Sequence, residues 1–357
     1  MKKTLIALAA LAATGAFAQS TVTLFGVVDA TVAVGNGDVA NKTQLTNSGY
    51  NSSRLGFKGV EDLGGGMQAG FWLEAGVNND NGTGSATNVN NQTAGGAAAG
   101  MNGSQGLTFN RRSTVSLIGN FGEFRLGRDY TPNFWNLTMY DPFGTNGVGT
   151  TRALTGAGAI AGNVMSVRAS NTIAYLSPTM GGFAAWGQLA MGENLSNLAG
   201  GADTVGNGAA IRVTYDMGPL SLGVAFNKTT IGANNDLSTT NIGGSYDMKV
   251  AKLMAFYQKD SASIAGSTDV TGYTLGALIP AGPGTARVSF ANTDNGNSVK
   301  TNQFSLGYVY DMSKRTSLYG TFASVNNSGG ASAALNGAVT TVNGSSNGYD
   351  LGIKHSF

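Results

Sequence analysis

Hydrophobic residues alternate with small or polar residues along most of this chain, from residue 21 to its end. In the segment 67–77, Met67 and Leu73 lie on one side of an extended chain, whereas Trp72 and Glu74 lie on the other. A period of two is typical of a β-strand with one apolar and one polar face. The pattern therefore predicts an all-β chain.

Sixteen segments carry this alternation. The predicted strands are 21–34, 52–61, 67–77, 109–119, 123–130, 170–177, 182–191, 208–216, 219–228, 239–247, 250–259, 269–279, 284–292, 301–311, 315–325 and 347–357. The connections between them alternate in length. Tight turns are predicted at 62–66, 120–122, 178–181, 217–218, 248–249, 280–283 and 312–314, and longer loops rich in Gly, Asn and Ser fill the rest. Outer-membrane barrels combine short periplasmic turns with long extracellular loops.

The two faces of these strands require different solvents. The outward face is apolar on nearly every strand, whereas the inward face is largely Gly, Ser, Thr, Gln, Asn and charged residues. Lipid outside and water inside satisfy both faces, and closure of the sheet removes the unpaired edges that lipid does not tolerate. We therefore predict a 16-stranded antiparallel transmembrane β-barrel, wide enough to enclose an aqueous channel.

The first residues have a different character. Lys2 and Lys3 precede an apolar run from Leu5 to Ala13, and the small residues Ala16 and Ala18 frame a cleavage site. This order is typical of a secretory signal peptide. We predict that residues 1–18 are removed and that residues 19–357 form the barrel in the outer membrane of a Gram-negative cell.

Composition excludes several kinds of chemistry. The chain has no Cys and a single His, His355, so it lacks disulfides, thiol catalysis, thiolate metal sites and His-based metal sites. Its 21 basic and 19 acidic residues do not make the basic surface that nucleic-acid binding requires. We predict no catalytic, cofactor or metal site, and a protein that is not an enzyme.

Charged residues on the inward face are candidates for the narrowest part of the channel. Strand parity places Arg54, Lys58, Arg112, Arg212 and Arg287 inside the barrel. The alternative is that each is an ordinary lumen charge away from the constriction. Arg111 points away from the lumen by the same parity.

Arg128 does not fit simple alternation. Phe124 and Leu126 face outward, so strict parity puts Arg128 in lipid, where an arginine at the bilayer midplane costs roughly 2–4 kcal/mol. A β-bulge beside Gly127 would turn the side chain inward. Parity alone leaves both possibilities open.

The longest predicted loop runs from Thr131 to about Ala169. It carries one acidic residue, Asp141, and two basic residues, Arg152 and Arg168. If this loop folds into the lumen, the constriction is net positive, and basic constrictions favour anions. The alternative is a solvated surface loop.

Several motifs resemble those of the general diffusion porins of Gram-negative outer membranes, in particular their β-proteobacterial branch. They are the segments 23–26, 53–59, 61–66, 109–112, 126–128 and 171–178, and the C-terminal residues 354–357. The resemblance extends over essentially the whole chain. It implies a homotrimer of sixteen-stranded barrels for passive diffusion of small hydrophilic solutes and ions, surrounded by outer-membrane lipid and lipopolysaccharide. It also implies that the barrel-assembly machinery recognises Phe357.

The same resemblance assigns roles within the pore. It implies that the loop 131–169 folds inward as the constriction loop, and that Arg54, Arg128 and Arg168 match a basic ladder on the facing wall. The match of Arg128 favours the bulge. A substrate-specific channel with the same barrel is the alternative function. A row of aromatic residues or arginines along the pore would favour it, but Trp72 and Trp186 are isolated inward positions.

Overall fold

The computed structural model describes residues 21–85, 91, 106–151, 165–196, 203–232, 235–264 and 266–357. The predicted signal peptide, residues 1–18, and Arg152 lie outside the described residues.

The described residues form one antiparallel sheet of 18 strands. Sixteen of these strands form the barrel wall: β1 (Thr21–Gly37), β3 (Arg54–Gly64), β4 (Met67–Asn78), β6 (Arg112–Gly119), β7 (Gly122–Tyr130), β8 (Arg168–Leu176), β9 (Phe183–Ala190), β10 (Gly208–Met217), β11 (Leu220–Gly232), β12 (Asn235–Asp247), β13 (Lys252–Ala262), β14 (Val270–Ala281), β15 (Gly284–Asp294), β16 (Lys300–Asp311), β17 (Thr316–Ser328) and β18 (Ser345–Ser356). The other two are short: β2 (Lys42–Asn47) pairs with β1, and β5 (Thr83–Gly84) pairs with β4.

The sheet closes on itself at β1. This strand pairs with β3 along one part of its length and with β18 along another, for example Leu24 opposite Phe57 and Asp29 opposite Lys354. Gly26 and Phe357 then exchange two backbone hydrogen bonds of 3.1 Å. The predicted closed antiparallel barrel of sixteen strands is therefore confirmed.

The two faces differ as the alternation predicts. Large apolar side chains such as Phe124, Ile173 and Leu275 cover the outer surface, where they are 45–54% exposed in the isolated chain. The inward positions are polar and crowded, and Thr31 and Ser305 are completely buried there. The wall is thus apolar toward lipid and polar toward its own axis.

The prediction of a long loop between residues 228 and 239 is wrong. The chain between the predicted strands 219–228 and 239–247 continues as a hairpin, with β11 running to Gly232 and β12 starting at Asn235. Most of the extra residues are polar, and most remain paired across the hairpin. Lys228 Nζ lies 2.8 Å from Asp236 Oδ2 across it. Alternation of apolar residues marks only the lipid-facing part of a strand, so it ends before the ladder does.

A helix, α1 (Pro132–Tyr140), replaces the start of the predicted loop 131–169. Pro132 occupies its first turn, where the fixed φ of proline fits and no backbone N–H is needed. The sequence reasoning missed this helix because nine residues give little periodicity. No helix in the described part of the chain is long and apolar enough to cross a membrane.

The bulge expected beside Gly127 is present. Gly127 has φ +121°, and the pairing of β7 with β8 shifts between Gly127 and Asp129. A Cβ at this position would lie 2.1 Å from the carbonyl oxygen of Ser113. Only glycine fits, and the extra residue, Arg128, leaves the alternating pattern.

Replacing Gly127 with alanine tests the bulge. We expect Gly127→Ala to lower the free energy of unfolding by about 1–3 kcal/mol, because the new methyl group meets backbone and the positive φ is strained. Urea unfolding of the protein in lipid vesicles, followed by tryptophan fluorescence, measures the loss. Gly187→Ala on β9 is the control, since a Cβ there meets nothing within 4 Å. Equal stability of the two variants would contradict the assignment.

Candidate functional site

The chain that follows β7 enters the barrel. Helix α1 lies against the inner wall, where Asn136 Nδ2 donates to the carbonyl oxygen of Gly223 (3.1 Å) and to Asn241 Oδ1 (2.9 Å). The Tyr140 hydroxyl lies 3.0 Å from Ser221 Oγ. These wall residues belong to β11 and β12, so the helix is fixed to one side of the lumen.

The loop then crosses toward the other side. Gln303 Nε2 on β16 lies 3.2–3.3 Å from the carbonyl oxygens of Val148, Gly149 and Thr150. The Val148 N–H donates to Asp350 Oδ2 on β18 at 2.7 Å. Residues 131–151 therefore pass through the lumen and narrow it.

Glycines on the inner wall make room for this loop. One lies on each of the strands β11, β12, β14, β16 and β18: Gly223, Gly243, Gly276, Gly307 and Gly348. A Cβ at these positions would lie 2.2–3.0 Å from Asn136, Tyr140, Pro142, Phe143 and Val148, in that order. Inward glycines recurring on separate strands were a sequence signal for an inserted loop that the sequence reasoning did not use.

Asp141 holds the loop in shape. Its buried carboxylate accepts hydrogen bonds from the N–H groups of Phe143 (2.9 Å) and Thr145 (3.1 Å) and from Thr150 Oγ1 (3.1 Å). Burial raises the pKa of this carboxyl, and the hydrogen bonds offset only part of that rise. None of the ion pairs among the described residues includes Asp141.

Three arginines meet around Glu74 and the Tyr130 hydroxyl inside the barrel. Arg111 Nε lies 2.6 Å and Arg54 Nη1 3.5 Å from Glu74 Oε1. Arg111 and Arg168 donate to the Tyr130 hydroxyl at 2.5 and 2.8 Å, and the Arg168 guanidinium carbon lies 4.4 Å from the centre of the Tyr130 ring. We call Arg54, Arg111 and Arg168 the arginine cluster. With Asp141, these arginines line a cavity of about 580 Å³.

The parity assignment of Arg111 is wrong. Arg111 precedes β6, which begins at Arg112, and its N–H bonds the carbonyl oxygen of Glu74 at 3.0 Å. Alternation holds only within a strand, so two consecutive arginines both reach the lumen. Glu74 was recognised as an inward position, but its pairing with Arg111 depends on the start of β6.

A second charged group lies along the same wall. Arg125 pairs with Asp129 (2.6 Å) and with Glu123 (2.9 Å), and Arg112 lies 3.6 Å from Asp129. Arg112 and Lys58 both lie over the Trp72 ring, at 4.6 and 4.9 Å from its centre. The sequence reasoning missed Arg125, although the outward positions of its neighbours on β7 imply that it faces inward.

Arg128 is half-buried in the wall beside the bulge. Its Nε donates to the carbonyl oxygen of Asn110 and its Nη1 to Ser170 Oγ, both at 2.6 Å. The structure therefore keeps the side chain out of lipid. Arg128 does not line the cavity of the arginine cluster.

The described part of the chain holds no group of three or more His, Asp or Glu side chains suited to a metal ion.

Comparisons with known proteins bear on this site. A family model described as Gram-negative porin matches residues 4–330. Outer membrane porin protein 32 of Delftia acidovorans is 41% identical over 100% of both chains. An outer membrane porin protein of Bordetella pertussis is 30% identical, over 89% of this chain and 93% of its own.

Solved structures agree. An anion-selective porin from Comamonas acidovorans matches with a TM-score of 0.81 at 39% identity, covering 95% of this chain and 100% of its own. The outer membrane protein OmpT of Vibrio cholerae, in its trimer form, matches with a TM-score of 0.65 over 95% of this chain and 99% of its own. At 14% identity this second match shows the fold alone.

Gly243 offers a test of the inserted loop. In Gly243→Ala the new methyl group would lie 2.2 Å from the Tyr140 ring, so we expect α1 to shift and single-channel current in planar bilayers to become noisier, with more closures. Overpacking should also lower the free energy of unfolding by about 1–3 kcal/mol. Gly244→Ala is the control, because its methyl group would come closer than 3.0 Å only to the end of the flexible Leu222 side chain. Steady, wild-type current from Gly243→Ala would show that the loop does not press on this wall.

Proposed function

This chain belongs to the Gram-negative porin family, and on that premise we propose that it forms a water-filled channel for passive diffusion of small hydrophilic solutes and ions, with a preference for anions. The relatives are channels rather than enzymes and are outer membrane porins. The observation that carries the anion preference is the arginine cluster, in which Arg54 and Arg111 share the single carboxylate of Glu74 and Arg168 is bonded to a neutral hydroxyl.

Further cations support the proposed anion preference. The Arg287 guanidinium carbon lies 4.5 Å and Lys354 Nζ 6.0 Å from the centre of the Tyr50 ring. Among the described residues, no carboxylate lies within 4.0 Å of Arg168 or Arg287. Positive charges along a narrow passage attract anions and repel cations. The 39% identical relative with a solved structure is an anion-selective porin.

Several carboxylates in the lumen accept hydrogen bonds from backbone N–H groups of the loops. Asp29 Oδ2 accepts hydrogen bonds from the N–H groups of Tyr50 (2.8 Å) and Asn51 (2.6 Å), and Asp350 binds Val148 N–H at 2.7 Å. Donors that point at a carboxylate offset part of its charge locally. Asp141 is engaged in the same way, so these acids serve to hold loops inside the barrel.

We assign the constriction to the loop 131–169 and the wall that faces it. Its residues in this proposal are Arg54, Lys58, Arg112, Arg128, Asp141 and Arg168, joined by Arg111. Arg54, Arg111 and Arg168 have the strongest support because they meet around Tyr130 and Glu74. Arg128 has the weakest, since its guanidinium is held in the wall.

The proposed setting is a homotrimer of barrels in outer-membrane lipid and lipopolysaccharide. Export would use the signal peptide 1–18, and the barrel-assembly machinery would recognise the terminal Phe357. The support for this last role is positional, because Phe357 lies at the seam beside Gly26.

Planar-bilayer recording with a potassium chloride gradient tests the pore and its selectivity. We expect steady ohmic steps, grouped in threes for a trimer, and a reversal potential of the sign set by chloride permeation. A reversal potential set by potassium would contradict the anion preference, and the absence of any conductance would contradict the pore.

Removing charge from the arginine cluster should change the selectivity. In the triple variant Arg54→Gln, Arg111→Gln, Arg168→Gln, the carboxylate of Glu74 loses its facing cations, so we expect the chloride preference to vanish or reverse. Lys228→Gln is the control, because Lys228 lies on the exposed β11–β12 hairpin and pairs with Asp236. The same reversal potential in the triple variant and the control would remove the cluster from the constriction.

A further inference from the structure

All three tryptophans of this chain line one cavity. Trp72, Trp135 and Trp186, together with Phe25 and Tyr130, bound a space of about 570 Å³ inside the barrel. The sequence reasoning took Trp72 and Trp186 to be isolated. That is wrong, because the inserted helix α1 brings Trp135 to the same space.

Arg212 lies beside Trp186 and is bonded to the helix that carries Trp135. On the wall it is the direct cross-strand partner of Trp186. Its Nε donates to Asn136 Oδ1 at 2.9 Å, and Asn136 follows Trp135 in α1. Arg212 also lines the cavity and belongs to none of the ion pairs of the described residues. Among the described residues it is thus a cation beside Trp186 with no carboxylate within 4.0 Å.

Trp186 carries a buried donor without an acceptor. The residue is 9% exposed, and its Nε1 is buried with no hydrogen-bond partner in the described structure. Buried indole N–H groups usually find an acceptor. An anionic oxygen in the cavity would supply one and would at the same time pair with the neighbouring Arg212.

Trp72 contributes an aromatic surface and not a donor. Its Nε1 already donates to Glu74 Oε2 at 3.1 Å, and its ring meets Phe25 edge-on at 5.0 Å between ring centres. Trp135 on the loop side meets Tyr130 at 5.4 Å. The cavity thus offers aromatic rings on both the wall and the loop, together with Arg212 and the unpartnered Trp186 Nε1. The other charged groups of its lining, which include Glu74 and Asp129, are paired with one another or with Arg111.

Ligand binding in this cavity rests on the proposed channel function and extends it. We propose that the tryptophan cavity, defined by Trp72, Trp135, Trp186 and Arg212, binds aromatic carboxylates of the benzoate class on their way through the pore. The carboxylate accepts from Arg212 and from Trp186 Nε1, and the ring lies among the indoles. A volume of about 570 Å³ is within the range of small-molecule sites.

Intrinsic fluorescence reports directly on this site, because every tryptophan lines it. The full chain in detergent micelles is titrated with sodium benzoate, with excitation at the red edge of tryptophan absorption where benzoate does not absorb. Cyclohexanecarboxylate keeps the charge but has no π-system, and benzyl alcohol keeps the ring but has no charge. We expect a saturable change with benzoate and an affinity about fivefold higher than for cyclohexanecarboxylate.

Two variants test the charge and the indole donor separately. Arg212→Gln should weaken benzoate binding about tenfold, since it removes a charge-assisted hydrogen bond. Trp186→Phe keeps a ring but loses the donor, so it should weaken benzoate and leave benzyl alcohol unchanged. Arg287→Gln is the matched control, because it removes one lumen arginine that does not line this cavity. Its benzoate titration should equal that of the unaltered protein.

The outcomes are distinct. A response to benzoate that does not saturate, or that Arg212→Gln and Trp186→Phe leave intact, overturns the site. Equal affinity for cyclohexanecarboxylate overturns its aromatic preference. Bilayer recordings on the same preparation decide the channel separately: conductance without a benzoate response leaves the porin function standing, and a benzoate response without conductance overturns the pore.

Discussion

The structure depends on one constraint: in lipid, every backbone N–H and carbonyl of the wall needs a partner within the wall. The pairing of β1 with both β3 and β18 meets it, because it turns an open sheet into a closed one. Once the wall is closed, its outer side must be apolar and its inner side can be wet. The polar lumen, the inserted loop and the arginines are all consequences of that division.

Inside the barrel, the wall side chains provide hydrogen-bond partners for the inserted loop and space for it to pack. Polar side chains such as Gln303 and Asn136 satisfy backbone groups of the loop or wall that would otherwise be buried without partners. Small residues, such as Gly243 opposite Tyr140, let the loop approach closely. The result is a lumen crossed by a fixed loop, with the arginine cluster beside it and with Asp29, Asp141 and Asp350 bonded to loop backbone.

Much of the fold and of the candidate site could be predicted from the alternation of apolar and polar residues. Each wrong or undecided prediction has a local cause in the chain. Alternation placed Arg54, Lys58 and Arg112 in the lumen because each lies within a strand. It failed for Arg111, which precedes β6, and it could not decide Arg128, whose position depends on the positive φ of Gly127. The contacts between α1 and the wall could not be predicted at all, because they join residues that are far apart in the chain.

The seam between β1 and β18 has a consequence for biogenesis. The strand that starts the wall finds its last neighbour only after all the other strands have been delivered, so sealing is the final event of assembly. A chain cut short before β18 would leave an unpaired strand edge on β17 and another on part of β1. A sealed cylinder therefore requires the last strand, because β18 is the one that joins β17 to β1.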